Sequence, residues 1–298
     1  MLYIYIYLIF LFVKVFYKDF FLLYWLTGIF SFDKCRNMKE KIKFFEKIKL
    51  KNPIMVAAWP GKGNVAFKAA NYLKDKLDAK LIAELPPFDY YQLFGINIRT
   101  NIIEETKLPK SLFFAWQDPK GNNDILIFIG EAQPASGKEL AVANLILKVA
   151  KKYKVETIVT FAAMPLYIDH KKRPEVFCAV TNKDLIEELT AFGVRWMNDG
   201  QITGMNGLIL GIGKAEGFKG ISFLGEIPFY TTQIENPKAS MAILEIFCQW
   251  LKIDIDMNEI EQLANFTEKE IEKLIQEAKE SQEYPLPSNE KKGPGYLH

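Results

Sequence analysis

The chain has 298 residues, of which 49% are hydrophobic and 25% charged, enough apolar side chains for one large or two modest globular domains. Its 38 basic and 36 acidic residues leave a formal net charge of +2, without a basic stripe dense enough to bind nucleic acid. Three scattered cysteines and two histidines cannot assemble a Cys/His zinc site and are typical of a reduced, cytoplasmic protein. We therefore expect neither a metal nor a nucleic-acid partner.

The first 37 residues differ in composition from the rest of the chain. Thirteen of residues 1–32 are Phe, Tyr or Trp, whereas aromatic residues make up 14% of the whole chain. Charged residues divide this segment into two apolar runs of 13 residues, and a helix that spans a bilayer needs roughly 18 to 20. Because Met38 begins a soluble opening, we favour an upstream start codon as the origin of residues 1–37. A poor membrane anchor and an unusual aromatic lead-in are the alternatives.

Apolar runs of strand length recur after this extension. Several are hydrophobic at nearly every position, which is typical of a sheet buried on both faces. Helical segments lie between them, so we predict one α/β domain over residues 38–255 with a mostly parallel sheet. The predicted strands are Ile54–Trp59, Lys80–Leu85, Ser111–Gln117, Asp124–Gly130, Thr157–Ala163, Val176–Thr181 and Gly220–Glu226.

A small helical appendage and a flexible tail are predicted to follow the domain. Asp256 with Glu259, and Thr267 with Glu270, have the spacing of capping boxes, which mark helix starts. These caps predict a pair of helices over residues 256–280. Residues 281–298 are polar and rich in Pro and Gly, a composition that favours a mobile tail.

A glycine-rich turn follows the first predicted strand and opens a helical segment. Gly61 to Ala66 fit the G-x-G-x-x-A fingerprint of a dinucleotide-binding loop, and Glu84 lies about where such folds place a ribose-binding acid. However, the rigid Trp59-Pro60 dipeptide precedes the glycines where that loop needs slim backbone, and the spacing around Lys62 is not that of a P-loop. We therefore interpret the stretch as a tight strand-to-helix turn. Dinucleotide binding and another type of anion site are the alternatives.

Any ligand is expected at the carboxyl ends of the strands, where open α/β sheets place their sites. Glu131 and Glu226 are the acids that we consider for acid/base chemistry, although such glutamates more often cap a helix or hold a loop. The glycines from Gly200 to Gly217 allow either close packing on the sheet or anion binding. His170 is expected to lie exposed in a loop. The candidate crevice consists of Gly61, Lys62, Gly63, Asn64, Glu131, Gln133, Gly204, Asn206 and Glu226.

Five motifs resemble, in order, those of the proteasome assembly chaperone family. They are PGKGNVAFKAANYL from Pro60, GEAQP from Gly130, TNKDL from Thr181, GQITGMNGLILGIGKAEGFKGISFLGEIP from Gly200 and NPKASMAILEIFCQWLKIDID from Asn236. The resemblance covers about Asn52 to Glu280. It is closest to the archaeal and bacterial branch, which is often labelled ATP-grasp superfamily.

The resemblance implies a three-layer α/β/α domain similar to nucleoside phosphorylases, with self-association and, in some relatives, binding to proteasome α-subunits. A shared fold does not itself imply phosphorylase chemistry. ATP-grasp chemistry needs paired nucleotide-holding lysines and a magnesium set of carboxylates and Asn, and we locate neither in the sequence. The resemblance therefore supplies no catalytic residue and no cofactor.

The end of the chain is a candidate partner-binding segment. Family members that bind the proteasome end in a hydrophobic-Tyr-any tripeptide, whereas this chain ends in Tyr296, Leu297 and His298, with the tyrosine one position early. A terminus without a partner is the alternative. We predict a cytoplasmic, homo-oligomeric, non-catalytic assembly chaperone or scaffold. The alternative is a small-molecule or nucleotide-binding enzyme that uses the crevice.

Overall fold

The computed structural model describes residues 42–86, 90–92, 95–105 and 107–283. The strands are β1 Lys43–Phe44, β2 Ile54–Ala58, β3 Lys80–Glu84, β4 Ile98–Arg99, β5 Ile102–Ile103, β6 Ser111–Trp116, β7 Ile125–Gly130, β8 Thr157–Leu166, β9 Val176–Val180, β10 Arg195–Trp196 and β11 Lys219–Pro228. The α-helices are α1 Val65–Lys76, α2 Glu139–Lys152, α3 Asp184–Thr190, α4 Met205–Ala215, α5 Pro237–Leu251 and α6 Asn258–Glu283. All seven predicted strands are thereby confirmed.

Three sequence predictions concern residues outside the described part of the chain. They are the origin of the N-terminal extension, residues 1–37, the mobility of the tail over residues 284–298, and the partner-binding role of Tyr296, Leu297 and His298. Among the helices that are described, none has both the length and the apolarity that crossing a membrane requires.

Nine strands form a mixed sheet in the order β1-β3-β6-β7-β2-β8-β11-β9-β10. The four central strands, β7, β2, β8 and β11, run parallel to one another. On one side β6 and β3 pair antiparallel, and on the other β9 runs antiparallel to β11. Parallel pairing is therefore found in the centre and between the short edge strand β10 and β9, and the sheet as a whole is mixed. The loop between β6 and β7 is too short for the crossover that parallel neighbours need, so these strands form an antiparallel pair.

The two faces of the sheet contribute to separate hydrophobic cores. Along β2, Ile54, Val56 and Ala58 enter one core, whereas Met55 and Ala57 enter the other, because successive side chains point to opposite faces. Side chains of α1, α3 and α5 pack in the first core, and those of α2 and α4 pack in the second. Helices thus cover both faces of the sheet, as predicted.

The C-terminal region forms one helix, so the prediction of a helical pair was wrong. α6 has 26 residues, and Thr267, the expected cap of a second helix, lies in its interior. No Gly or Pro interrupts the sequence of α6, so nothing in its backbone requires a break. Ile260, Ala264 and Ile271 are buried at helical spacing, where α6 contacts α5. The helix also continues to Glu283, into the predicted tail.

A two-point hydrogen bond joins the end of β2 to the start of α4. The Oδ1 atom of buried Asn206 accepts from the Trp59 backbone N–H at 2.9 Å, and its Nδ2 donates to the Trp59 carbonyl oxygen at 3.1 Å. The Trp59 side chain is fully buried beside Gly130 of β7, where a Cβ would lie 2.5 Å from the indole ring. Asn206 therefore satisfies two interior backbone groups just beyond the strand, which would otherwise be costly to bury.

Two free thiols lie in the described part of the chain, and both are buried. They belong to Cys178 on β9 and Cys248 on α5. Burial raises the pKa of each thiol to about 12, because a low-dielectric environment disfavours the thiolate. Since the thiolate is the reactive form, both side chains are inert near neutral pH.

Replacing Asn206 with Ala is expected to destabilise the protein by about 2–4 kcal/mol, because the Trp59 N–H and carbonyl would both lose their buried partner. Urea unfolding of the two proteins measures this difference. Asn198→Ala, at an exposed position, is the matched control and should cost little. Equal losses in the two variants would contradict the role assigned to Asn206.

In a Cys35→Ser background, a thiol-specific reagent at about pH 8 should modify neither remaining cysteine of the folded protein. Both should react once denaturant unfolds the chain. Mass spectrometry of the labelled protein counts the modified thiols. Rapid labelling of either cysteine in the native state would show that its environment is more open than described.

Candidate functional site

In the described part of the chain, the loops at the carboxyl ends of the central strands line two separate cavities rather than one crevice. The first, the central cleft, lies after β2, β7 and β8 and before α4, and Gly61, Lys62, Gln133, Met164 and Asn206 are among its lining residues. The second, the edge pocket, lies between the β8–β9 loop, the end of β11, α5 and α6. His170, Lys172, Glu226, Lys238 and Glu268 are among the residues that line it.

Backbone hydrogen bonds join the glycine-rich turn to the segment between β11 and α5. The Gly63 N–H donates to the Thr232 carbonyl oxygen at 2.7 Å, and the Asn236 N–H donates to the Gly63 carbonyl oxygen at 2.8 Å. Gly63 has a φ of 58°, and a Cβ there would lie 2.8 Å from Asn236 Nδ2. Only glycine fits this left-handed and crowded position.

The carboxylate of Glu235 lies beside this turn, at the start of α1. Asn64 Nδ2 donates to Glu235 Oε1 at 3.0 Å, and Lys68 Nζ lies 2.8 Å from Glu235 Oε2. The hydrogen bond from Lys68, with that from Asn64, lowers the pKa of Glu235, although partial burial acts against it. Helix N-termini bind phosphate through free N–H groups, whereas here the Gly63 N–H is used and a carboxylate lies nearby. The geometry is that of a tight strand-to-helix turn.

Gln133 links the loop after β7 to both neighbouring segments. Its Nε2 donates to the Pro60 carbonyl oxygen at 2.8 Å, and its Oε1 accepts from the backbone N–H of Met205, the first residue of α4, at 3.0 Å. Gly204 has a φ of 70°, and a Cβ on it would lie 3.2 Å from Gln133 Oε1. Gln133 and Asn206 therefore fix the shape of the central cleft.

The glycines that precede and enter α4 also serve packing. A Cβ on Gly207 would lie 2.0 Å from the carbonyl oxygen of Ile202, a distance that no side chain tolerates. On the same helix, a Cβ on Gly213 would lie 3.1 Å from Ile158 Cδ1 of β8. These contacts favour close packing over anion binding for this glycine-rich stretch.

The two acids considered for acid/base chemistry lie at different places and each holds a loop. Exposed Glu131 accepts from the Lys110 backbone N–H at 2.8 Å through Oε2. Buried Glu226 accepts from the Glu175 N–H at 3.1 Å, and its Oε2 lies 3.4 Å from Lys172 Nζ. Glu226 lines the edge pocket, and neither acid is among the described residues that line the central cleft. The nine candidate residues therefore do not form one site.

His170 lies in the β8–β9 loop, as expected, but its side chain lines the edge pocket and is not exposed. Its side chain is 8% exposed, and its Nδ1 lies 3.0 Å from the hydroxyl oxygen of Tyr230. Its Nε2 is buried without a hydrogen-bond partner among the described residues. Lys238 donates to the carbonyl oxygens of His170 and Lys171 and also pairs with Glu268 of α6. No sequence pattern indicated this pocket, because its walls come from distant parts of the chain.

Exposed aromatic side chains follow the ends of two central strands, and we call Tyr167, Phe229 and Tyr230 the aromatic rim. Tyr167 comes directly after β8 and is 94% exposed, whereas Phe229 comes directly after β11 and is 56% exposed. Their rings stack with centroids 5.5 Å apart and an interplanar angle of 22°. Pro165 at the end of β8 lines the central cleft, so the rim and the cleft share one edge of the sheet.

Comparisons with known proteins give consistent results. PbaB of Pyrococcus furiosus, described as an archaeal proteasome activator, is 31% identical, with a TM-score of 0.68 over 80% of this chain and 99% of PbaB. PbaA of the same organism, described as an archaeal homolog of proteasome-assembly chaperone, shares the fold at 23% identity, with a TM-score of 0.61 over 81% of this chain and 100% of PbaA. The uncharacterized protein MJ1210 of Methanocaldococcus jannaschii is 28% identical over 78% of this chain and 86% of its own length.

The matches agree with the resemblance to proteasome assembly chaperones found in the sequence motifs, and they do not support the ATP-grasp label. The sequence profile of the PAC2 family matches residues 55–275, which is most of the chain. Together with the identity to PbaB over nearly the whole of that protein, this match shows that the chain belongs to the PAC2 family.

Proposed function

We propose that this protein is a non-catalytic assembly factor that binds proteasome α-subunits. The aromatic rim is the observation that carries the proposal, because it places a binding surface at the edge of the sheet where this fold presents its loops. The description of PbaB, at 31% identity, as a proteasome activator supports the class of partner. Membership of the PAC2 family supports a role in binding protein.

The chemistry of the rim suits a protein interface. Tyr and Phe are enriched at interface cores, where they bury a large apolar area and lose little conformational entropy. Tyr167 and Phe229 follow two paired strands whose ladder runs from Lys219 opposite Thr157 to Pro228 opposite Leu166. Because this ladder holds both ring-bearing segments, little further ordering is needed when a partner binds.

The surroundings of the acidic candidates favour binding over acid/base catalysis. Glu131 and Glu226 accept hydrogen bonds from loop backbones, and Glu226 is also close to Lys172. An acid/base pair must reach one substrate from both sides. Glu131 and Glu226 lie in separate places and do not meet this requirement. The alternative function is that of a small-molecule or nucleotide-binding enzyme, and the observation in its favour is the open central cleft at the carboxyl ends of the strands.

We also propose that the protein self-associates and acts in the cytoplasm. Ile98, Ile102 and Ile103 of the β4–β5 hairpin are exposed in the described chain, and an isolated hairpin of two strands is marginally stable in water. Exposed apolar surface of this kind supports an additional contact. The likeness to nucleoside phosphorylases and the division of residues 256–280 from the main domain remain predictions from the sequence.

Replacing Tyr167 and Phe229 together with Ala is expected to reduce capture of proteasome α-subunits by about tenfold or more, since central aromatic residues dominate interface energies. Capture on the immobilised protein from native lysate, quantified by mass spectrometry, measures the loss. Phe266→Ala, which removes an exposed ring from α6, is the matched control. The proposal is contradicted if the intact chain captures no α-subunits or if the double variant captures as many.

Removal of residues 284–298 is expected to lower α-subunit capture further, because the tail would provide a second point of attachment. The same capture assay compares the shortened chain with the full chain and with the rim variant. Undiminished capture by the shortened chain would show that the tail does not contribute, whereas the role of the rim would be unaffected.

A further inference from the structure

We infer that the central cleft binds a carboxylate group that carries a small apolar substituent. This inference does not rest on the proposed partner, since it concerns a ligand bound by the purified protein. The cleft lies where the chain passes from β2 to α1 on one face of the sheet and from β7 to α2 on the other. Such a switch point is where open α/β sheets bind ligands.

The charge of the cleft is the first argument for an anionic ligand. Lys62 is the one charged side chain among the described residues that line it, and no acid lies among them. The Lys62 ammonium makes no hydrogen bond or ion pair with the described part of the chain. In the edge pocket, by contrast, Lys172 lies close to Glu226 and Lys238 pairs with Glu268.

Lys62 is the cationic group of the cleft, and the uncharged side chains of Gln201 and Thr203 also line it. Gln133 and Asn206 are already bonded to backbone on both sides of the cleft. Lys62 begins the short turn Lys62–Asn64, whose Gly63 is held by backbone bonds to Thr232 and Asn236. The backbone that carries Lys62 is therefore fixed before a ligand arrives, which reduces the conformational entropy lost on binding.

The walls of the cleft determine what accompanies the carboxylate. Met164, Pro165, Met197 and Ile202 contribute apolar surface, and methionine side chains adapt to ligands of irregular shape. A single lysine matches a single negative charge, so a monocarboxylate fits better than a phosphate dianion. The carboxylate could come from the C-terminus of a polypeptide or from a free carboxylic acid, and the experiment distinguishes these sources.

Isothermal titration of the full chain with N-acetylleucine and with N-acetylleucinamide tests the inference, because the two probes differ only in the carboxylate. A pentapeptide that ends in Leu, with a free or an amidated C-terminus, tests the polypeptide source. We expect both free acids to bind and both amides to bind at least about tenfold more weakly, as the loss of one charge-assisted hydrogen bond predicts. Tighter binding of the peptide acid identifies a polypeptide C-terminus, and equal binding identifies a small acid.

Lys62→Ala is expected to weaken binding of the free acids by about tenfold. Lys183→Ala is the matched control, because Lys183 is exposed and lies outside the cleft. Circular dichroism of each variant verifies folding. The inference is overturned if acids and amides bind equally, if no probe binds at millimolar concentration, or if Lys62→Ala leaves affinity unchanged. None of these results depends on whether proteasome subunits are captured.

Discussion

The hydrogen bonds between Asn206 and the backbone of Trp59 hold the end of β2 to the start of α4, and the central cleft depends on this link. A parallel strand ends with backbone groups that its neighbours no longer satisfy, and in this protein the strand ends inside the molecule. A side chain from the start of α4 supplies the missing partners. Gln133 repeats this arrangement one segment away, between Pro60 and Met205. The cleft keeps its form because polar side chains substitute for the end of the ladder.

Much of the fold was predictable, because the physical cause of each strand is local in the sequence. β2 is buried at all five positions, and its uninterrupted apolar sequence indicates this directly. The direction of the outer strands was not predictable, since pairing of β9 with β11 depends on contacts between distant segments. The single α6 was also missed. The capping-box pattern at Thr267 and Glu270 is compatible with a helix start but does not require one. The helix α6 continues through these residues because one of its faces packs on α5.

The location of the candidate site was predictable from the sequence, whereas the set of side chains that form it was less so. Loops after parallel strands meet at one edge, and Lys62, Gln133 and Asn206 do meet there. Glu226 has a different location, because β11 continues for two residues beyond it and its carboxylate faces the β8–β9 loop. The aromatic rim was missed since Tyr167 stacks on Phe229 in the structure but is distant from it in the sequence. The residues from Gly61 to Ala66 match a dinucleotide-binding pattern, but packing of the turn accounts for them, and Glu235 lies beside the turn.

The clamp on Gly63 has a mechanical consequence for the whole edge. Thr232 and Asn236 hold that glycine, and the short turn Phe229–Thr231 lies immediately before Thr232. The turn that carries Lys62 and the segment that carries Phe229 and Tyr230 are far apart in the sequence, yet two backbone hydrogen bonds join them. A displacement of the turn Phe229–Thr231 must therefore be shared by the turn at Lys62 or must break these bonds. A partner that moves Phe229 is thus expected to change the position of Lys62 as well.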